Sequence, residues 1–433
     1  MLFTLRVKRK FVAISCFFAL HPSGEEQKWD LCYNRGMVLW GGFKEEIDRE
    51  TGRRLIRITD GEAFCYPMYF FIPSVTNDER YIVYHRTDEH EVQLYSTELS
   101  TGKVTRLTDS SYPDTQWRPW CSMTPPGVLD HRSVLNPVTN EVFFFDGNTL
   151  MKTPVDRSDP KKVFTIPDDR CPIGQNCITP DGKWFAYIHH DSKTYKEIAK
   201  SRDWSIYYPS RTKSFETVAE AYNLETGQTH EILRINSPIH HIFAHGNEHF
   251  VINHPVNESG MIFAPLKGGW YANLRTKDRL GRMPCHCHST NRGVTYEAYM
   301  GHHNVTAGIT NPFTHERVEF ELPEDFGYTH TGHDPEGKLF FYENMVYNEH
   351  GTTLHNMHYI EKFADGNPMF RLLLGHRKSF IEKAQKAHFH PRLTPDRNFV
   401  IFTGGCPETK TNHVYMLDIS DLDESKNLHI PWE

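Results

Sequence analysis

The chain has 433 residues, and its 48 basic and 55 acidic side chains give a net charge of −7. This length allows one to three domains with a large buried core. The acidic balance argues against a phosphate-binding surface, so we predict no nucleic-acid partner. The chain holds 20 Tyr and 28 Phe, and this aromatic richness favours many short strands over long helices.

The N-terminal segment, residues 1–36, differs from the rest of the chain. A basic stretch from Arg6 to Lys10 precedes a ten-residue apolar run from Phe11 to Leu20. This order is typical of a signal peptide, but no small-x-small cleavage site follows. The apolar run is too short to cross a bilayer, so we predict no membrane partner. Nine scattered cysteines indicate a reduced compartment. We therefore expect a cytoplasmic protein, or a periplasmic or secreted one if the segment is a true signal.

A turn followed by a strand recurs seven times along the chain, and each unit leads from a polar turn into an aromatic or β-branched run. The seven units begin at Ser74, Asn136, Ile178, Phe243, His288, Gly332 and Arg392. Their spacing of roughly 40 to 65 residues is near that of four-stranded propeller blades. The pattern predicts an all-β fold, a seven-bladed β-propeller that forms a single domain over residues 37–433.

Histidine, present 27 times, recurs at one position of these units. His240, His286, His330 and His390 each stand seven residues before the turn-glycine position of four consecutive units. The blades of a propeller repeat around one axis, so equivalent positions point to a common place. We therefore predict that these four histidines converge at one mouth of the central channel.

The last unit adds further candidate ligands, because His388 and His390 are two residues apart and so share one face of a strand. Neutral imidazoles on one face suit a divalent cation. His286 and the amide oxygen of Gln385 complete a predicted three-His, one-oxygen shell, with His288 as an alternative to His286. Mn, Zn, Fe and Ni all accept such ligands. A zinc site that uses the cysteines beside His286 is another alternative.

The segment Gln-Lys-Ala-His-Phe-His-Pro-Arg-Leu-Thr-Pro-Asp at 385–396 resembles the last blade of the oligogalacturonate lyases, which are seven-bladed propellers of polysaccharide lyase family 22. In those enzymes a Gln-x-x-His-x-His-Pro run precedes a Thr-Pro-Asp or Ser-Pro-Asp turn. The likeness covers most of the chain after about residue 45. It includes Gln93-Leu-Tyr with the segment 100–109, Arg202-Asp-Trp, and Thr329-His330.

The resemblance implies roles for particular residues. Gln385, His388, His390 and His286 would hold the divalent cation, commonly Mn²⁺ in this family. The family's proton-abstracting histidine falls at His240, with His241 as the alternative.

The resemblance also gives candidate residues for the substrate. His330 is implied as a substrate-binding residue. Arg202 and Arg211 are our candidates to assist the leaving oxygen.

Two departures from the family pattern concern the substrate. Tyr66-Pro67 stands where the family has a His-Arg pair, and Val218 stands where it has an active-site arginine. We expect Arg211 to compensate for the second loss. The substrate class predicted is a uronate oligosaccharide, either oligogalacturonate or another uronate glycan.

The predicted reaction is a β-elimination that leaves a 4,5-unsaturated uronate. A neutral histidine would remove the C5 proton, and the metal would stabilise the charge that develops on the carboxylate. The alternative is a non-catalytic propeller that binds protein or carbohydrate, and it predicts no bound metal.

Overall fold

A computed structural model describes most of the chain after residue 36. The described residues are 37–112, 126–128, 132–193, 216–236, 239, 241–253, 261–274, 284–300, 303–327, 330–347, 353–364, 367–380, 387–422 and 430. All of them belong to one compact unit, residues 37–433.

The regular elements of the described part are 29 strands, so the prediction of an all-β fold is confirmed. In chain order they are β1 (Lys44–Ile47), β2 (Arg54–Arg57), β3 (Phe64–Pro67), β4 (Tyr81–Thr87), β5 (Val92–Glu98), β6 (Val104–Arg106), β7 (Val134–Asn136), β8 (Glu141–Asp146), β9 (Thr149–Pro154), β10 (Lys161–Thr165), β11 (Arg170–Ile178), β12 (Trp184–Asp191), β13 (Thr217–Asn223), β14 (Thr229–Ile235), β15 (His241–His245), β16 (His249–Asn253), β17 (Met261–Pro265), β18 (Ala272–Asn273), β19 (Pro284–Ser289), β20 (Val294–Met300), β21 (His303–Thr310), β22 (Arg317–Glu321), β23 (Thr331–His333), β24 (Phe340–Tyr347), β25 (Thr353–Ala364), β26 (Asn367–Lys378), β27 (Arg392–Leu393), β28 (Phe399–Cys406) and β29 (Thr411–Asp418).

The strands of the described part form six sheets in a propeller-like arrangement. Four of the sheets have four strands each, in the orders β3-β4-β5-β6, β10-β9-β8-β7, β19-β20-β21-β22 and β23-β24-β25-β26. A five-stranded sheet, β1-β2-β29-β28-β27, joins the first strands of the unit to the last ones. The β2–β29 pair is antiparallel, with Leu55 opposite Leu417, and it closes the arrangement.

The sixth sheet has eight strands and consists of two antiparallel halves, β11 to β14 and β15 to β18. A single parallel bridge between Gln175 and His241 connects the halves. Each half has the strand order of one four-stranded sheet.

Most of the strands are buried on both faces, which explains their continuous apolar sequences. Every residue of β28 is buried, and so are the Phe-Phe-Phe positions of β8. Aromatic rings of neighbouring sheets meet in the largest core cluster, where the Phe143 and Phe185 ring centroids lie 5.9 Å apart.

Three of the turns that precede a second strand share one type of hydrogen bond. In three units a threonine Oγ1 donates to an aspartate Oδ1 two residues later, at 2.6 Å in each case. These pairs are Thr76–Asp78, Thr179–Asp181 and Thr394–Asp396. Side chains of this type form hydrogen bonds within their own turn and fix its shape. The Thr-x-Asp pairs therefore give these three turns a similar shape before the second strand.

The described residues contain no helix that is both long and apolar enough to span a membrane.

Candidate metal centre

Four histidines from three adjacent sheets meet near the start of the first strand of each sheet. The ring centroid of His330 lies 4.2 Å from that of His286, 4.6 Å from that of His390 and 5.1 Å from that of His388. All four side chains are buried. The convergence predicted for His286, His330 and His390 is therefore present in the structure.

Three of these histidines could hold one ion. Donor nitrogens of His330, His388 and His390 all lie within 4.8 Å of one another, and this is the one such group among the residues that the structure describes. The grouping differs from the predicted ligand set. His330, expected to bind substrate, takes part, whereas His286 lies beside the group. Gln385 lies outside the described residues.

The protonation of these imidazoles suits a metal ligand. Burial, reinforced by the neighbouring His286, lowers the pKa of His330 to about 4. Burial likewise holds the pKa of His388 well below its usual value, although the Glu343 carboxylate opposes the shift. Neutral imidazole is the form that coordinates metal ions.

The backbone at two of the histidines adopts a conformation that costs energy. His286 has a φ of 46° and His390 a φ of 48°, both in the left-handed region that disfavours residues with a Cβ. Such strain costs of order 1–3 kcal/mol and persists where surrounding structure enforces it, often at functional sites. The strained positions are two of the four histidines of this cluster.

A buried carboxylate lies directly behind the cluster. Glu343 of β24 is 0% exposed, and its Oε2 accepts a hydrogen bond from His330 Nδ1 at 2.9 Å. Its Oε1 lies 2.9 Å from His355 Nδ1, and its two oxygens accept the backbone N–H groups of Phe389 and His390. Burial alone would raise the pKa of Glu343, but His330 and His355 outweigh it and hold the pKa well below its usual value.

A second buried carboxylate has a similar place in the adjacent sheet. Glu297 of β20 is 0% exposed, and its Oε2 lies 3.3 Å from His286 Nδ1. Glu297 thus pairs with a histidine in the first strand of its own sheet, and Glu343 pairs with the histidine that directly precedes the first strand of its sheet.

Aromatic side chains from the segment after β3 cover the cluster. Tyr69 and Phe70 are each 1% exposed. The Tyr69 ring centroid lies 4.7 Å from that of His390, and the Phe70 ring centroid lies 5.1 Å from that of His330. This aromatic segment packs directly on the histidines and keeps one side of the cluster apolar.

A positively charged side chain, that of Arg392, lies near the cluster, two residues after His390. Arg392 donates from Nη1 to the Phe70 carbonyl oxygen at 3.2 Å and to His288 Nε2 at 2.7 Å. Burial lowers the pKa of Arg392 to about 10. No described carboxylate forms an ion pair with it. His288, the predicted alternative ligand, has both nitrogens engaged, since its Nδ1 donates to the Ser289 carbonyl.

Of the predicted catalytic residues, the structure describes His241. It is the first residue of β15, is 0% exposed, and its ring centroid lies 5.1 Å from that of Phe71. The neighbouring Gln175 is 1% exposed, and within the described part of the chain its amide has no hydrogen-bond partner. The other catalytic candidates, His240, Arg202 and Arg211, lie outside the described residues.

The repeat pattern of the sequence does not by itself point to Glu343, Glu297, Arg392 or the aromatic segment. One signal for the glutamates was available, because Tyr296-Glu297 and Tyr342-Glu343 repeat at the same place in consecutive second strands. Buried acidic residues in strands are rare unless they are paired.

No family model matches the chain. Among curated proteins, the oligogalacturonate lyase of Dickeya dadantii (strain 3937) is 20% identical over 397 residues, which cover 85% of this chain and 94% of that protein. A solved oligogalacturonate lyase in complex with manganese matches 92% of this chain and all of its own, at 17% identity and a TM-score of 0.70. Another, from Vibrio parahaemolyticus, matches 90% of this chain and all of its own, at 15% identity and a TM-score of 0.72. The resemblance noted in the sequence is therefore confirmed, at the low identity of a diverged relative, and the fold is shared over nearly the whole of both solved chains.

Proposed function

We propose that this protein is a divalent-metal-dependent lyase that cleaves uronate oligosaccharides by β-elimination and leaves a 4,5-unsaturated uronate. The observation that carries the proposal is the buried cluster of His330, His388 and His390, whose donor nitrogens lie within 4.8 Å of one another. The similarity to oligogalacturonate lyases over most of the chain supports the reaction and the substrate class.

The donor set fits a divalent cation, because the three imidazoles are buried, close together and suited to the neutral state. We propose His330, His388 and His390 as ligands, with His286 and Gln385 to complete the shell. Mn²⁺ is the proposed ion because a manganese complex is known for a structural relative; Zn²⁺, Fe²⁺ and Ni²⁺ accept the same donors. When bound, the ion would neutralise the substrate carboxylate and stabilise the negative charge that develops beside C5.

Proton removal from C5 requires an unprotonated base, and a neutral histidine meets that requirement near neutral pH. We propose His240 as this base, with His241 as the alternative. The burial of His241 against Phe71 supports a fixed ring at this position. Arg202 and Arg211 remain our candidates to assist the leaving oxygen.

Recognition of a uronate needs a cation for the sugar carboxylate, and we propose Arg392 for this role. Its Nη1 is fixed by two hydrogen bonds, whereas no described carboxylate neutralises its charge. The side chain is half-buried, so a bound anion would be partly shielded from water, where charge-assisted hydrogen bonds are stronger. Arg392 would thus replace one of the two arginines that the family pattern leads us to expect.

The proposed catalytic domain spans residues 37–433 and has seven blades. This count takes each antiparallel half of the eight-stranded sheet as one blade, because the halves share a single parallel bridge.

The test is the ultraviolet absorbance of the conjugated double bond after incubation with a panel of uronate oligosaccharides. The protein is assayed with Mn²⁺ and again with a chelator. We expect one substrate to give a rise in absorbance that the chelator abolishes. A flat trace from a protein that binds Mn²⁺ would reject the substrate class. A flat trace without bound metal would favour the non-catalytic binding propeller.

A further inference from the structure

We propose that Glu343 and Glu297 are positioning residues for the metal centre. Each would hold the ring of one histidine, His330 or His286, so that Nε2 faces the ion. The inference rests on the proposed metal site and adds a role for two residues that do not themselves contact the ion.

The contacts indicate which ring nitrogen of each histidine would bind the ion. Glu343 Oε2 lies 2.9 Å from His330 Nδ1, and Glu297 Oε2 lies 3.3 Å from His286 Nδ1. A carboxylate that accepts this hydrogen bond requires the proton on Nδ1 of each imidazole. The lone pair then lies on Nε2. A carboxylate that accepts from the second nitrogen of a metal-binding histidine fixes its tautomer and orientation in this way.

The same device occurs in two adjacent sheets. Glu297 is the fourth residue of β20 and Glu343 the fourth of β24, and a buried tyrosine precedes each. Both glutamates lie on the second strand of their sheet; His286 lies in the neighbouring first strand, and His330 directly precedes it. Their recurrence at one register indicates that the propeller repeat supplies both partners, the ligand and its support.

Glu343 also connects His330 to the segment that holds His388 and His390. It pairs with His330 in its own sheet, and it accepts the backbone N–H groups of Phe389 and His390, which lead into the next sheet. The His388–His390 segment is therefore tied to the same carboxylate as His330. Loss of this carboxylate would release the ring of His330 and the backbone N–H groups of Phe389 and His390.

The experiment measures Mn²⁺ affinity in the full-length protein, by titration calorimetry at one pH, for Glu343→Gln and Glu297→Gln. The control is Glu220→Gln, because Glu220 pairs with His189 at 3.2 Å in a different sheet. We expect both test variants to bind Mn²⁺ about 10- to 100-fold more weakly than the wild type. The control should bind as the wild type does.

Melting temperatures in chelator separate positioning from folding. A merely structural role would lower the melting temperature of Glu343→Gln while the folded variant kept its Mn²⁺ affinity, and that result would overturn the inference. Glu297→Gln serves as the second variant if Glu343→Gln does not fold. A wild type that binds no Mn²⁺ would instead reject the metal site itself. Wild-type binding with unchanged affinity in both variants would reject this inference alone.

Discussion

Removal of one histidine from the cluster gives the sharpest test of the metal centre. His388→Ala deletes one of the three imidazoles whose donor nitrogens lie within 4.8 Å of one another. We expect the variant to lose the stabilisation that Mn²⁺ gives to the folded protein, because an ion that binds only the folded state shifts the unfolding equilibrium.

The size of the effect follows from the length of the folded unit. Mn²⁺ at a hundred times its Kd stabilises the folded state by about 2.7 kcal/mol. A unit spanning residues 37–433 has an entropy of unfolding of about 0.8 kcal/mol/K, from about 2 cal/mol/K per residue. The melting temperature of the wild type should therefore rise by about 3 °C when Mn²⁺ is added.

The assay is differential scanning fluorimetry with Mn²⁺ and with chelator. His90→Ala is the matched control, since the His90 side chain is 79% exposed and lies outside the cluster. The control should keep the full shift, and His388→Ala should show none. An equal shift in His388→Ala would refute the assignment, because the ion would then bind elsewhere.

Three further variants test the base, the substrate cation and the acid sensitivity of the fold. His240→Ala should lose turnover by 10²-fold or more while Mn²⁺ affinity stays unchanged; wild-type turnover in this variant, with loss in His241→Ala, would transfer the role to His241. Arg392→Met should lower kcat/KM for a uronate oligosaccharide about tenfold or more with Mn²⁺ affinity unchanged, and an unaltered kcat/KM would exclude contact with the carboxylate. Burial lowers the pKa of His413 to about 4, so the unfolded chain binds more protons between pH 6.5 and 4 and stability falls as the pH falls through that window. When the pH is lowered from 7.5 to 5, we therefore expect the free energy of unfolding to fall by about 2 kcal/mol less in His413→Gln than in the wild type. Urea unfolding at the two pH values measures this difference. Equal losses of stability would contradict the lowered pKa of His413.

The histidine cluster shows what a repeat pattern can predict. His286, His330 and His390 share one register in the sequence, and in the structure the His330 ring contacts both of the others. The reason is physical, because a closed ring of equivalent sheets brings equivalent first-strand residues to one axis. The sequence period alone was sufficient for this prediction.

Contacts between different registers could not be predicted in this way. Phe70 and Arg392 are 322 positions apart, and the ring closure alone makes them neighbours. The role of His288 illustrates the consequence. Its strand face was predicted, but the contact between its Nε2 and Arg392 depends on that closure. The contacts of Glu343 with His355 and with the backbone of Phe389 and His390 likewise join positions that the sequence repeat does not relate.

The metal centre depends on a part of the chain that is synthesised late, because two of its candidate ligands adjoin the five-stranded sheet. Strands β27, β28 and β29 of this sheet come from the end of the unit and β1 and β2 from its beginning. His388 and His390 immediately precede β27, so two candidate ligands enter the sheet that is completed last during synthesis. A nascent or prematurely terminated chain that stops before residue 388 would lack both histidines. Metal capture by this site would therefore report that synthesis has reached the segment before β27.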